Sequence, residues 1–253
     1  MERRLHLNTW RNHLALDLGT AAIRVASCSG PVLELPTCPA EKTGLSGGVV
    51  VDEATVTRLL KPVLAKKRLF GIVKPRVLAC APSDTSRDER ARLTTAVLDA
   101  GAESVYIIPE PIAAAVGAGL DVSSPYSHLV MDIGAGVTDC ALIRMSRIQS
   151  SVAARVGCRQ IQRGKEGPEN SAIEMVTAML EGFIHALPPE IGCEVIESGI
   201  CLTGGGAMIP GLRAFLENRT GIAVTTAKFP CRCVVEGARA ILPVVVMLNL
   251  WDE

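Results

Sequence analysis

Leu16-Asp17-Leu18-Gly19-Thr20, near the start of the chain, has a second version at Met131-Asp132-Ile133-Gly134-Ala135-Gly136-Val137-Thr138. Each copy is an apolar strand that ends in aspartate and runs into a glycine-containing turn. A carboxylate closing a strand in this way can hold a magnesium-bound water, and the small residues after it let backbone N–H groups approach phosphate oxygens. Asp-x-Gly-x between apolar runs is also ordinary hairpin chemistry, so either copy alone says little. The pair predicts a duplicated fold whose two halves clamp one nucleotide.

A third element narrows the choice. Gly199-Ile200-Cys201-Leu202-Thr203-Gly204-Gly205-Gly206 is followed by Pro210 and by the helical spacing of Leu212, Phe215 and Leu216. A strand that runs into three glycines, and then a helix with proline in its first turn, offers bare backbone to a flat ring or a phosphate. The coarse pattern around these motifs alternates strands with helices. Strands are expected over 13–18, 23–28, 76–81, 105–108 and 148–156, and on both sides of the second turn. Helices are expected over 55–64, after the capping box Ser86-x-x-Glu89, from Pro111, and over 171–187 up to Pro188-Pro189. Strands linked by crossover helices mean an α/β fold of two similar lobes.

Taken in this order, the three elements resemble the actin, sugar-kinase and heat-shock-chaperone ATPase superfamily, with its two phosphate loops and its adenosine loop. Within it the chain is most similar to the bacterial actins of the MreB/Mbl family. The likeness is carried by Val73-Lys74-Pro75-Arg76-Val77-Leu78, by Asp99-Ala100-Gly101-Ala102, and by the run from Val105 through Pro109-Glu110-Pro111 to Leu120. It implies an actin-like (ribonuclease H-like) duplicated fold with one large lobe over 12–125 (IA) and a second over 126–240 (IIA). Residues 1–11 are then an N-terminal tail or short amphipathic segment, and 241–253 an apolar C-terminal segment.

The departures from the family are informative. Only a short stretch rich in Pro, Gly, Thr and Ser lies between Cys28 and Gly47, and only Gly157 to Pro168 lie between Val156 and the helix opening near Ser171. The family carries a small subdomain at each place (IB and IIB). Both are expected to be missing or minimal here, which leaves the cleft open at its top.

The resemblance also implies roles for single residues. Asp17 and Asp132 stand at the family's magnesium-shell positions, reached through water. Gly19, Thr20, Gly134, Ala135, Gly136 and Thr138 fall on the phosphate loops, Gly204, Gly205 and Gly206 on the adenosine loop, and Glu110 where a carboxylate polarises the attacking water. Glu110 read without the family is a first-turn glutamate favoured by the helix dipole. Ala22 and Val137 replace an Asn and a Thr of MreB. Losing donors aimed at developing charge costs about 2.7–4 kcal/mol each, and an open cleft leaves phosphates hydrated. The cofactor expected is therefore Mg-ATP, weakly held, with slow or absent hydrolysis.

Composition agrees with a soluble globular protein: 253 residues, 48% hydrophobic, and 26 basic against 26 acidic side chains. That balance implies no nucleic-acid partner. The nine cysteines lack paired zinc or redox spacing and read as reduced core residues of a cytoplasmic protein. The N-terminus lacks a secretory core, and reads either as a frayed tail or as an interfacial helix in which Leu5, Trp10 and Leu14 meet the inner face of a membrane beside Arg3, Arg4 and Arg11. Ile241 to Trp251 is apolar but too short to span a bilayer, and is expected as a packed terminal helix or strand, or a contact surface.

Two function classes remain. One is a truncated actin-like cytoskeletal protein that associates with itself, with MreB-type actin or with wall-synthesis and morphogenesis proteins, in cell-shape or spore-wall assembly. The other is a stand-alone ATPase or chaperone-like nucleotide switch. Nucleotide-dependent polymers favour the first, and a monomer with fast turnover the second.

Overall fold

The computed structural model describes residues 12–37, 44–163 and 171–252. The N-terminal segment of residues 1–11 lies outside them. The described residues form two compact units. One comprises the chain up to Ala81, Thr85–Ile108 and the stretch from Val235 onward; the other comprises Pro82–Asp84 and Pro109–Val234.

In the first unit, β1 (Leu14–Leu18), β2 (Ala22–Ser27), β3 (Leu33–Pro36), β6 (Val77–Ala81) and β7 (Val105–Pro109) form one sheet in the order β3-β2-β1-β6-β7. β4 (Leu45–Ser46) and β5 (Val49–Val50) make a separate small hairpin. α1 (Glu53–Lys66) and α2 (Arg87–Asp99) are the crossover helices. β1 and β6, LALDL and VLACA, are buried at every position, as expected of central strands covered on both faces. Leu60 and Leu64 of α1, and Leu93 and Val97 of α2, join Leu14, Leu16 and Ala79 in one core.

The second unit repeats the plan. α3 (Glu110–Ala118) precedes β8 (His128–Ile133), β9 (Thr138–Arg144) and β10 (Arg147–Ala154). Then come α4 (Cys158–Arg163), α5 (Ser171–His185), α6 (Pro189–Ser198), β11 (Ile200–Thr203), α7 (Leu212–Thr220) and β12 (Val224–Thr226). The sheet runs β10-β9-β8-β11-β12. Each sheet therefore has three antiparallel strands followed by two reached through crossovers, in the same spatial order. α8 (Cys233–Leu248) closes the sequence of long elements.

Helix signals read from sequence behave as the physics of helix ends requires. Ser86 and Glu89 form a complete capping box at the start of α2. Gly119, at φ +84°, ends α3 in the left-handed conformation that glycine adopts without cost. Pro188-Pro189 stops α5 as expected, and also starts a helix the sequence reading missed: Pro188 is the N-cap of α6, where a proline's missing N–H is no loss. The apolar C-terminal segment is the second half of a helix that begins at Cys233. Its continuation ends on Trp251, buried edge-on against the His13 ring at 5.5 Å. Of the eight described cysteines, Cys80, Cys140, Cys201 and Cys233 are core residues; Cys193 and Cys231 are exposed, which corrects the expectation that all are interior. No described helix is long and apolar enough to cross a membrane.

Candidate functional site

Each β-hairpin that carries the repeated phrase is built the same way. β1 pairs with β2 so that Asp17 faces Arg24, and β8 pairs with β9 so that Asp132 faces Asp139. In both, the partner comes seven residues later. Gly19 and Gly134, two residues after each aspartate, both lie close against the backbone of their own turn. An added Cβ would lie 2.9 Å from the Ala22 carbonyl oxygen in one and 3.1 Å from that of Val137 in the other. The duplication thus reaches single-residue register.

In the first turn, Asp17 is buried and its Oδ2 accepts from Nη1 of Arg24 at 3.3 Å. Burial pushes the Asp17 carboxyl above its ordinary range, and the Arg24 guanidinium works against that rise. Nε of Arg24 reaches Oε1 of Glu34 on β3, also at 3.3 Å. Thr20 is held from two sides. Its hydroxyl oxygen accepts from the Gly48 amide at 2.9 Å, and its carbonyl accepts from the Thr37 hydroxyl at 2.6 Å.

In the second turn, Asp132 is buried and accepts a 2.6 Å hydrogen bond from the Thr203 hydroxyl, its parallel-strand neighbour on β11. The Gly134 amide donates to the Val137 carbonyl at 2.8 Å, and the carbonyls of Gly134 and Ala135 accept from the amides of Cys158 and Arg159 at the start of α4. The Thr138 hydroxyl is fully buried and donates to the Val156 carbonyl at 2.8 Å. Asp139 is held by Ser83, whose amide and hydroxyl each donate to it at 2.6 Å. Burial drives the Asp139 carboxyl up to about 6, and the two Ser83 bonds restrain that rise. Glu110 opens α3 and is buried; this helix packs against β8, β9 and β11. Burial also raises the thiols of Cys201 and Cys233, the latter to about 12, so both stay protonated near Asp132.

The glycine triplet separates into two kinds. Gly204 sits at φ +80°, where an added Cβ would collide with the Ile133 backbone, and a Cβ on Gly206 would collide with the Ile133 side chain. Gly205 has room, its nearest neighbour being the Cys158 sulfur at 3.8 Å. Two of the three glycines are therefore required by packing alone.

Comparison with known proteins decides the family. The model of the MreB/Mbl protein family matches residues 40–164 and 168–249, most of the chain. The chain belongs to the MreB/Mbl family. The cell shape-determining protein MreB of Escherichia coli K12 is 28% identical over 263 aligned positions, covering 80% of this chain and 76% of that protein. Since 80% of 253 residues is about 202, about 61 of those positions have no counterpart here. The Spiroplasma citri MreB5 structure bound to AMPPNP superimposes with a TM-score of 0.83 at 22% identity, over 94% of this chain and 97% of that one. A MamK double helical filament gives 0.74 at 16% identity, over 92% and 98%. The fold of this MreB/Mbl member is actin-like.

Sequence reading missed the residues that hold the two turns. Arg24, Asp139 and Ser83 lie outside the family phrase, and of Thr20's partners Gly48 comes from a hairpin of two-residue strands too short to show periodicity and Thr37 from just after β3. One signal was present. A charged residue stands seven positions after each aspartate, Arg24 in one copy and Asp139 in the other, and aligning the two copies against each other exposes it.

Proposed function

We propose that this protein is an MreB/Mbl-type cytoskeletal element of cell-shape or spore-wall assembly that binds a nucleotide weakly and turns it over slowly or not at all. The observation that carries the reading is the duplicated hairpin: in a family member, each lobe keeps a buried aspartate at a strand end followed by a glycine turn. Gly19 and Thr20 in one lobe, and Gly134, Ala135, Gly136 and Thr138 in the other, are the phosphate-loop residues of this reading. Thr20, whose oxygen already accepts from Gly48, has its own proton left to donate to a phosphate oxygen. In the second turn the Gly134 amide is spent on Val137, so the amides of Ala135 and Gly136 are the donors. Gly205, the one roomy member of the triplet, is the position at which an adenosine lies against backbone. The donor set fits a nucleotide, with Asp132 as carboxylate for a metal-bound water and Glu110 to orient an attacking water. When bound, Mg-ATP would supply the phosphoanhydride and the cation that screens it; the protein's part is to place donors on the phosphates. Ala22 and Val137 have no hydrogen-bonding side chain to aim at developing charge, which is why turnover is slow.

Self-association is the corresponding output, alone or with an MreB-type actin and wall-synthesis proteins. A cytoplasmic location against the membrane surface is supported by the loop between α1 and β6. Leu69 and Val73 pair across its base, and Phe70 and Ile72 at its tip are 87% and 81% exposed. Lys66, Lys67, Arg68 and Lys74 flank it. Apolar side chains presented to solvent among basic ones suit an anionic lipid surface.

Titration calorimetry with Mg-ATP on wild type and Asp132→Ala, followed by pelleting and electron microscopy with and without nucleotide, tests the reading. Binding lost in the variant, and polymers formed alone or with MreB, are expected. A strictly monomeric protein with fast ATP turnover overturns it. Cosedimentation with phosphatidylglycerol vesicles should fall for the double variant Phe70→Ser, Ile72→Ser; unchanged sedimentation overturns the membrane contact.

A further inference from the structure

We propose that Arg24 takes the place of a divalent cation at Asp17, so that the first phosphate turn receives a nucleotide phosphate on a guanidinium rather than on a metal-bound water. This rests on the nucleotide reading above and narrows it.

The geometry carries the argument in three steps. Arg24 is the direct cross-strand partner of Asp17, so both side chains leave the β1–β2 ladder on the same face. Their 3.3 Å contact joins side chains only 19% and 8% exposed, and a pair that dry is not screened as a surface pair would be. A dication approaching Asp17 Oδ2 would meet a fixed positive charge within a few ångströms, and the carboxylate's own negative charge is already offset.

Arg24 is held in place, not merely near. Nε binds Oε1 of Glu34 at 3.3 Å while Nη1 binds Asp17, so two carboxylates on neighbouring strands brace the guanidinium plane. That uses two of its five N–H groups. Nη1 also lies 3.8 Å from where a Cβ on Gly19 would be, beside the turn itself. The guanidinium is the side-chain type best matched to phosphate oxygens, through a planar fork that lysine lacks.

The second lobe shows that the arrangement is particular to the first. At the matching register position it carries Asp139, an acid already bonded twice to Ser83. At this register position the first copy carries a cation and the second an acid.

The test is ATP affinity by calorimetry, in excess magnesium and in EDTA, for wild type, Arg24→Leu, Arg24→Gln and Arg24→Lys, each checked for native circular dichroism. Wild type keeps the cation dependence that passes through Asp132, so its loss on chelation should be about threefold or more smaller than that of Arg24→Leu and Arg24→Gln, which should lose about tenfold or more in EDTA and recover with magnesium as Asp17 becomes available to it. Arg24→Lys should keep most of the wild-type tolerance to EDTA. Two results overturn the inference while leaving nucleotide binding intact: a wild-type loss on chelation as large as that of Arg24→Leu and Arg24→Gln, or variants as indifferent to magnesium as wild type. Absence of ATP binding by every protein in both conditions overturns the nucleotide reading and this inference together.

Discussion

Replacing Asp139 by asparagine should change how the protein's stability depends on pH, in a direction opposite to ordinary acid denaturation. The Asp139 carboxyl is raised from 3.8 to about 6 by burial. A carboxyl raised in the folded state favours the folded form while protonated; that stability is fully present below 3.8 and is lost as pH rises through about 6. About two units at 1.36 kcal/mol per unit makes the loss on the order of 3 kcal/mol. Asparagine removes the titration. Its carbonyl still accepts from the Ser83 hydroxyl, but its NH2 is turned toward the Ser83 amide, which costs about 1–3 kcal/mol at every pH. The advantage of wild type over Asp139→Asn should therefore be largest near pH 4 and shrink by on the order of 3 kcal/mol by pH 7. Urea unfolding followed by far-ultraviolet dichroism at several pH values measures it. A difference that is constant with pH, or grows toward neutrality, refutes the reasoning.

His13 gives the opposite slope. Burial and the Arg76 charge lower it from 6.5 to about 4, so its contribution is present above 6.5 and lost as pH falls through about 4; His13→Phe should flatten the acid limb, read through Trp251 fluorescence. Gly206→Ala should destabilise by about 1–3 kcal/mol because its Cβ meets Ile133, whereas Gly205→Ala should leave the melting temperature within a degree or so and reduce nucleotide affinity. Ser83→Ala should cost about 1.5–3 kcal/mol at neutral pH, where it strips a donor from an ionised carboxylate, and less near pH 4.5 where Asp139 is protonated. Denaturant titrations at the two pH values check it.

Much of this architecture was legible from the chain. Asp-x-Gly at 17 and 132 with matching apolar approaches foretold the duplication, because a buried parallel strand needs a continuous apolar run and its end needs a turn. The capping box at Ser86 located α2 for an equally local reason. What stayed hidden depended on pairing across the chain. β3 is an edge strand of four residues in a stretch crowded with proline and glycine, and nothing in LELP distinguishes it from loop until Ala22 to Val25 lie beside it. The glycine triplet suggested a ligand surface, and Gly204 and Gly206 also answer to Ile133, about seventy residues earlier, a packing demand that no local pattern announces. The Ser83 clasp on Asp139 spans 56 residues and has no local signature.

The two hairpins show how far duplication constrains chemistry. Strand order, the aspartate, the glycine two residues on and the cross-strand register are the same in both copies, because all four are set by backbone geometry: a one-residue slip would turn each buried face outward. The residue opposite the aspartate is not set by backbone geometry, since either a base or an acid can stand there if it is partnered. One lobe has Arg24, braced by Glu34; the other has Asp139, clasped by Ser83. A positive charge therefore stands beside the first carboxylate and a second acid beside the other, in two turns of one shape. On the proposed nucleotide reading, each such turn is where a phosphate would rest, and the residue seven positions further along would set which cation accompanies it.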